Sequence, residues 1–239
     1  MLTGLSCTIL GGLAVLTPNP VHADTAPAPG EPKTITADDL PTWQTDGVVW
    51  SIATIGNTVY VGGNFDNIRP PGTSTGDPAE QPRKNLAAFN AATGQPLPWA
   101  PSVEGTPYTA DTPQTDCDDL GNNQWVCDAV WELKASPDGS TLYVGGDFAK
   151  VNGQGRNRLA SFNVTEGGLT GFKHAINTRV KALAVTGTTV YAGGYFTTVN
   201  GVARERLAAF STADGTMTSW APPPTVASTH WSCPPTAAA

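Results

Sequence analysis

The residues best able to do chemistry in this 239-residue chain are few and scattered. Its three histidines, His22, His174 and His230, lie far apart and lack metal-ligand spacing. The sequence has no HExxH zinc motif, no GxSxG nucleophile elbow and no phosphate-binding loop. We therefore predict no catalytic residues, no metal ligands and no cofactor.

An acidic cluster, Asp116, Asp118 and Asp119, has the spacing that begins a calcium-binding loop. The next ligand position is Leu120, whose side chain has no oxygen. The calcium pattern therefore fails, and a solvated acidic loop is the favoured interpretation.

Two aromatic residues, Tyr108 and Trp125, accompany this cluster. Aromatic rings stack on sugars and carboxylates accept hydrogen bonds from hydroxyl groups. We therefore predict a ligand site, for a glycan or a protein, at Tyr108, Asp116, Asp118 and Trp125. The alternative is that Trp125 only packs beneath a disulfide loop, and the sequence does not choose between the two.

Two cysteines, Cys117 and Cys127, bound the segment CDDLGNNQWVC. In an exported protein this spacing predicts a local disulfide that closes a loop. Metal binding is the alternative, but no nearby histidine or second cysteine pair supports it. Cys233 has no assigned partner.

A glycine-rich stretch that occurs three times organises the rest of the chain. It reads TVYVGGNF at 58–65, TLYVGGDF at 141–148 and TVYAGGYF at 189–196. β-Branched and aromatic residues favour a strand, and paired glycines within a strand indicate a bulge or the close approach of another backbone. Each copy is therefore predicted to be a strand.

Two further repeat positions carry polar residues. The position after the glycines changes between copies, which argues against a repeated catalytic role and indicates a local or surface position. Its occupants are Asn64, Asp147 and Tyr195. An arginine recurs at Arg83, Arg156 and Arg204. A ring of guanidinium groups for anionic ligands is one interpretation, but inter-blade salt bridges or hydrogen bonds to carbonyls are favoured.

The flanking segments give four strand-like runs in each repeat of ~45–50 residues, which is the period of a β-propeller blade. We predict an all-β propeller with three four-stranded antiparallel blades, at about 43–101, 129–173 and 179–222, and an insertion at 102–128. The second-to-third turns and the inter-blade links share one face. We call it the insertion face, because it bears both long insertions, 69–82 and 102–128.

The repeat signature resembles a known family. Its elements are [VL]-Y-[VA]-G-G-x-F, then V-N-G, R-x-R-L-A-[AS]-F and W-x-P, over roughly residues 41–224. This is similar to the secreted bacterial β-propeller repeat of the YVGG, or delta-sixty, type, a domain of unknown function. The resemblance implies the fold and secretion but no catalytic residues. Residues 69–71 depart from V-N-G, and Gly171-Phe172 departs from W-x-P.

Residues 1–23 have the apolar run and small-residue cleavage site of a signal peptide. A Pro- and Ala-rich lead-in follows at 24–40, and an irregular tail at 225–239 is interpreted as the start of another insertion. The net charge of −7, without a basic cluster, argues against nucleic acid as a partner. A secreted protein with no membrane span in the mature chain is expected.

Three blades are fewer than the four or more that close a propeller. We therefore expect an N-terminal piece of a longer protein, with blade 3 open and Phe196 and Phe210 poorly covered, so that the open edge self-associates. The predicted function is a secreted binding or adhesion module for a glycan or protein. The alternative is part of an extracellular propeller enzyme that acts on polysaccharide, with its active site on other blades or domains.

Overall fold

A computed structural model describes residues 42–111 and 116–222. The predicted signal peptide, lead-in and C-terminal tail, together with Cys233, lie outside these described residues. Within them the chain is all-β and has no helix. Its strands are β1 (Gln44–Thr45), β2 (Val48–Ile55), β3 (Thr58–Asn64), β4 (Asn67–Arg69), β5 (Gln81–Pro82), β6 (Leu86–Asn90), β7 (Val103–Glu104), β8 (Tyr108–Thr109), β9 (Asp118–Gly121), β10 (Gln124–Val126), β11 (Val130–Ala135), β12 (Thr141–Gly146), β13 (Lys150–Val151), β14 (Gln154–Gly155), β15 (Leu159–Asn163), β16 (Val180–Val185), β17 (Thr189–Gly194), β18 (Thr198–Val199), β19 (Val202–Ala203) and β20 (Leu207–Ser211).

Each glycine-rich repeat forms the central strand of one antiparallel sheet. β3 lies between β2 and β6, β12 between β11 and β15, and β17 between β16 and β20. We call these sheets blades 1, 2 and 3. Successive side chains of a strand point to opposite faces of its sheet. The apolar residues of blade 2 can therefore pack against blade 1 on one face and blade 3 on the other.

A fourth segment joins each blade through a single bridge, and is shorter than the fourth strand predicted. The bridges are Phe89–Pro96, Phe162–Leu169 and Phe210–Met217. Blade 1 shows one reason, since Pro96 and Pro98 lack the N–H groups that a longer ladder needs. The four-segment antiparallel topology is nevertheless present in all three sheets.

The paired glycines accompany both predicted features, a bulge and the close approach of another backbone, because a Cβ on the second glycine, Gly63, would overlap the carbonyl oxygen of Val48. The register of the first and second strands shifts in each blade, which leaves a bulged residue on the first strand: Trp50, Trp131 or Lys181. The first glycine of a pair meets the next blade, because a Cβ on Gly62 would lie 2.5 Å from Cγ1 of Val130. A side chain at this position would thus collide with the neighbouring sheet.

Adjacent blades pack through a repeated aromatic contact. The ring of Trp99 lies edge-on to Tyr60 of blade 1 and to Phe162 of blade 2, with its centroid 5.1 Å from each. Phe172 takes the same place at the junction of blades 2 and 3. The departure from W-x-P therefore keeps an aromatic ring between the blades.

The predicted poor coverage of Phe196 and Phe210 in blade 3 is wrong, whereas the first strand of blade 1 is exposed. Phe196 and Phe210 are fully buried, because they point back towards blade 2. Ile52 of blade 1 is 63% exposed, whereas its repeat equivalents Leu133 and Leu183 are 1% exposed. Within the described residues, blade 1 thus has no preceding sheet to cover its first strand.

Short ribbons extend the blades at the insertion face. The chain between the second and third strands forms the hairpins β4–β5, β13–β14 and β18–β19. The link before each blade adds to its hairpin: β1 pairs with β4, β7 with β13, and Ile176 bridges to Val199. Asn152 and Asn200 have φ values of 51°, as expected for Asn-Gly turns.

Candidate functional site

The insertion between blades 1 and 2 folds into three short strands, which we call the insertion ribbon (β8, β9 and β10). They lie side by side in the order β8, β10, β9. A disulfide joins Cys117 to Cys127, with their Cα atoms 4.3 Å apart. This confirms the predicted pairing and closes the ribbon on itself.

Tyr108 and Trp125 are direct partners across β8 and β10. Directly opposed residues project to the same side of an antiparallel pair. Tyr108 is 39% exposed, and its hydroxyl lies 3.3 Å from Sγ of Cys127. Trp125 is half-buried, and its Nε1 donates a hydrogen bond to the Ala110 carbonyl at 3.3 Å. Tyr108 therefore presents the more open ring, while Trp125 also holds the ribbon together.

Asp118, a predicted ligand contact, takes part in an ionic network that ties the ribbon to blade 1. Its Oδ2 lies 3.4 Å from Nζ of Lys84, which also pairs with Asp66 and Asp128. Burial alone would lower the pKa of Lys84. The hydrogen bond to Asp66 and the three carboxylate charges instead raise that pKa above its ordinary value. Asp118 thus forms a structural ion pair with Lys84 of blade 1.

A cavity of about 210 Å³ opens between the insertion ribbon and the rims of blades 2 and 3. It belongs to the insertion face, since Asp147 directly follows the second strand of blade 2 and Arg179 directly precedes the first strand of blade 3. Of the predicted ligand contacts, Tyr108 lines it. The lining residues are Thr106, Tyr108, Cys127, Asp147, Arg158, Thr178 and Arg179.

Asp147 is the buried carboxylate of this cavity, with 6% of its surface exposed. Its Oδ1 lies 3.1 Å from Nε of Arg179, and its Oδ2 accepts a hydrogen bond from Nε1 of Trp131 at 2.9 Å. The interpretation of this repeat position as local or surface therefore misses its role in blade 2. Asn64 and Tyr195 occupy the position in the other copies, so the repeat pattern offers no signal for it.

Arg158 forms another part of the cavity wall. Its Nη1 donates a hydrogen bond to the Phe148 carbonyl at 3.1 Å. Burial lowers the pKa of Arg158, while the charge of Asp147 acts to raise it and that of Arg179 to lower it. The two guanidinium groups and the carboxylate are therefore close enough to form one electrostatic unit.

Lys181, the bulged residue of blade 3, lies over the ring of Trp131 with Nζ 2.7 Å from the ring centroid. Burial and the neighbouring charge of Arg179 lower the pKa of Lys181 to about 8, against the opposing charges of Asp147 and Asp116. Asp116, predicted as a ligand contact, thus acts electrostatically on the cavity region. The sequence does not reveal this cluster, because its members come from the bulges and rims of different blades.

The three recurring arginines hold the fourth segments in place. In each, Nη2 donates to a carbonyl of that segment. The donor–acceptor pairs are Arg83–Leu97 at 3.3 Å, Arg156–Thr170 at 2.7 Å and Arg204–Thr218 at 3.1 Å. These contacts agree with the favoured interpretation, in which the recurring arginines donate hydrogen bonds to carbonyls.

Residues 42–111 and 116–222 contain no group of three or more His, Cys, Asp and Glu side chains that could hold an ion. His174 is buried against Phe172 and Phe210, and burial lowers its pKa to about 4, so it is neutral at pH 7. No helix in the same ranges is long and apolar enough to span a membrane.

One known protein family matches part of the chain. Residues 136–164 match a family described as "Domain of unknown function (DUF5122) beta-propeller". The match covers the second and third strands of blade 2. No curated protein matches the chain significantly. With the sheet topology, this match defines the chain as an all-β protein of the β-propeller class, and the finer YVGG assignment stays a prediction.

Several solved structures resemble the chain in outline. The computationally designed Ika4 protein is 13% identical with a TM-score of 0.42, over 77% of this chain and 78% of that one. The designed Ika8 protein is 13% identical with a TM-score of 0.37, over 71% of this chain and 35% of its own. The extracellular domain of a hybrid two component system from B. thetaiotaomicron is 11% identical with a TM-score of 0.36, over 75% and 26%.

Proposed function

We propose that this chain is a secreted β-propeller module that binds a glycan through its insertion face. The observation that carries the proposal is the cavity of about 210 Å³ in which the exposed ring of Tyr108 stands opposite polar and charged side chains. A half-exposed aromatic ring beside convergent hydrogen-bonding groups suits a sugar, which has both an apolar and a hydroxylated side.

Secretion is part of the same proposal. The Cys117–Cys127 disulfide supports it, because such bonds persist in oxidising compartments and are rare in the cytosol. The sequence of residues 1–23 supports it independently. N-terminal sequencing of protein recovered from culture medium should begin near Asp24, and an intact Met1 on protein retained in the cytosol would contradict export.

The glycan proposal is tested with a glycan array probed by the full chain and its variants. Tyr108→Ala removes the exposed ring, and we expect it to abolish or strongly weaken the array signal. Trp125→Ala should also weaken the array signal, but indirectly, because the hydrogen bond from Trp125 to the Ala110 carbonyl supports the ribbon. Circular dichroism of each variant separates a lost contact from a lost fold.

Matched controls lie on the opposite face. Thr93 lies in the turn that joins the third strand to the fourth segment, and Thr188 lies in the turn that joins the first strand to the second; both are exposed. Thr93→Ala and Thr188→Ala should leave the array signal unchanged. Binding that survives Tyr108→Ala but is lost in either control would place the ligand on the wrong face.

A further inference from the structure

The cavity beside Tyr108 has an excess of positive charge on a chain whose net charge is −7. Its lining includes two guanidinium groups, Arg158 and Arg179, and one carboxylate, Asp147. Lys181 stands behind them over Trp131 and is within electrostatic range of both Arg179 and Asp147. A single buried carboxylate thus faces a surplus of cations.

Donor capacity remains after the protein's own contacts are made. Asp147 is 3.1 Å from Nε of Arg179, and among the described residues the terminal nitrogens of that guanidinium have no acceptor. Arg158 uses Nη1 for the Phe148 carbonyl and, within the same residues, has no other acceptor. An arginine offers five N–H donors in a planar fork that matches a carboxylate. The cavity therefore retains unused donors that fit an anionic, planar group.

The remaining lining suits the rest of an acidic sugar. Thr106 and Thr178 offer hydroxyl groups, which both donate and accept hydrogen bonds. Tyr108 offers an exposed ring for the apolar side of a pyranose. The volume of about 210 Å³ is below the roughly 300 Å³ at which drug-sized ligands are enclosed, so one residue of a saccharide is the matching size.

We propose that the cavity recognises the carboxylate of a uronic acid residue in an acidic saccharide, through the guanidinium groups of Arg158 and Arg179. Arg179 is already positioned by Asp147, and Asp147 by Trp131, so one partner is held in place before the ligand arrives. The inference rests on the proposed glycan-binding function and specifies its ligand class.

The test uses calorimetric titration of the full chain with a galacturonic acid trimer and with the same trimer methyl-esterified. Esterification removes the charge and leaves the sugar rings in place. We expect the free acid to bind and the ester to bind at least about tenfold more weakly, as loss of a charge-assisted hydrogen-bonded pair implies. Sulfated oligosaccharide of the same length, as a third arm, distinguishes carboxylate from anion recognition in general.

Arg158→Gln should weaken binding of the free acid about tenfold and binding of the ester by a smaller factor, because the ester carbonyl accepts a hydrogen bond but carries no charge. Arg206→Gln is the matched control, because Arg206 has the same repeat position, a similar φ (74° against 69°) and the same type of carbonyl contact, to Tyr195. Arg158→Lys keeps the charge without the fork, and an intermediate affinity supports bidentate recognition.

Equal binding of the acid and its ester would overturn the carboxylate assignment while leaving the glycan proposal standing. Equal weakening by Arg158→Gln and Arg206→Gln would also overturn it, since the effect would then not be local to the cavity. Absence of binding by the free acid overturns it outright, and the array with Tyr108→Ala separately decides the wider proposal. Preference for the sulfated arm would exclude a site for uronic acid.

Discussion

At the scale of single residues, buried charge decides what the cavity can do. Asp147 lies between a guanidinium group and an indole N–H, and it is almost fully buried. Breaking such a contact leaves a desolvated cation and an unpaired donor, which costs more than the contact itself contributes. The cavity therefore depends on this one carboxylate for its shape.

We expect Asp147→Asn to lower the free energy of unfolding by about 2 kcal/mol, because Arg179 loses its counter-charge. Urea denaturation followed by tryptophan fluorescence measures the change. Asp111→Asn, at an exposed position of the insertion, is the control and should be near neutral. Equal stability of the wild type and Asp147→Asn would show that the ion pair does not hold the rim together.

Lys181 makes stability depend on pH in the alkaline range. Its pKa is about 8 in the folded chain, against 10.5 ordinarily, so between these values the unfolded chain binds more protons. Stability contributed through this residue therefore rises as pH increases from about 8 towards 10.5. Urea midpoints at pH 8, 9 and 10 should show this rise in the wild type.

Lys181→Gln removes the titrating group and is the comparison for that experiment. The difference in unfolding free energy between wild type and variant should then change with pH across the same window. A pH-independent difference between the two proteins would mean that Lys181 keeps an ordinary pKa in the folded chain.

At the scale of elements, the first glycine of each pair sets how closely two blades approach. A Cβ at position 62 would meet Val130 Cγ1 at 2.5 Å and Leu133 Cγ at 3.2 Å. We expect Gly62→Ala to lower the free energy of unfolding by about 1–3 kcal/mol through overpacking. Gly155→Ala, with nothing within 4 Å, should have little effect. Thermal unfolding compares them, and equal midpoints would contradict tight packing at Gly62.

The disulfide stabilises one element and not the whole sheet array. In the chain-entropy model, closing this short loop contributes about 2–3 kcal/mol. Reduction should speed amide hydrogen exchange across β9 and β10 and leave the central strand Thr141–Gly146 protected. Mass spectrometry of peptides from oxidised and reduced protein measures both regions. Unchanged exchange in the ribbon would show that Lys84 and its partners suffice to hold it.

At the scale of the molecule, the first strand of blade 1 presents an apolar face. Val48, Trp50 and Ile52 are all exposed, whereas the positions equivalent to Ile52 are covered in blades 2 and 3. Blade 3 has the same glycine pair and an equivalent contact, Tyr191–Trp220. In blade 1 the corresponding residues, Gly62 and the Tyr60–Trp99 pair, pack against the following blade. We therefore expect self-association through blade 1, although the sequence predicted it through blade 3.

Ile52→Lys should shift the chain towards monomer, because a charge at this position opposes burial against another sheet. Sedimentation velocity over a range of concentrations measures the shift. Leu120→Lys, at another exposed apolar position on the insertion, should leave the sedimentation behaviour unchanged. A wild type that is monomeric at every concentration would contradict association through this face.

The repeating architecture follows from local features of the sequence. Strand composition, Asn-Gly turns and paired glycines act over a few residues. Each copy therefore specifies its own strands and turns, and the same pattern in three copies indicates a repeat architecture. The Cys117–Cys127 pairing is also local, since only nine residues separate the two. The structural role of the recurring arginines could likewise be anticipated from their repetition.

The position of the charged cluster at the cavity depends on contacts between segments that are distant in the sequence. Asp147, Arg158, Arg179 and Lys181 come from two blades. Only Arg158 has a counterpart of the same type, Arg206, and the other three positions hold different residues in the other copies, so no local pattern predicts that the four meet. The coverage of Phe196 likewise depends on which way a side chain points between sheets. These features arise from the stacking of blades and the fold of the insertion over them, and such long-range contacts leave no periodic signal in a single sequence.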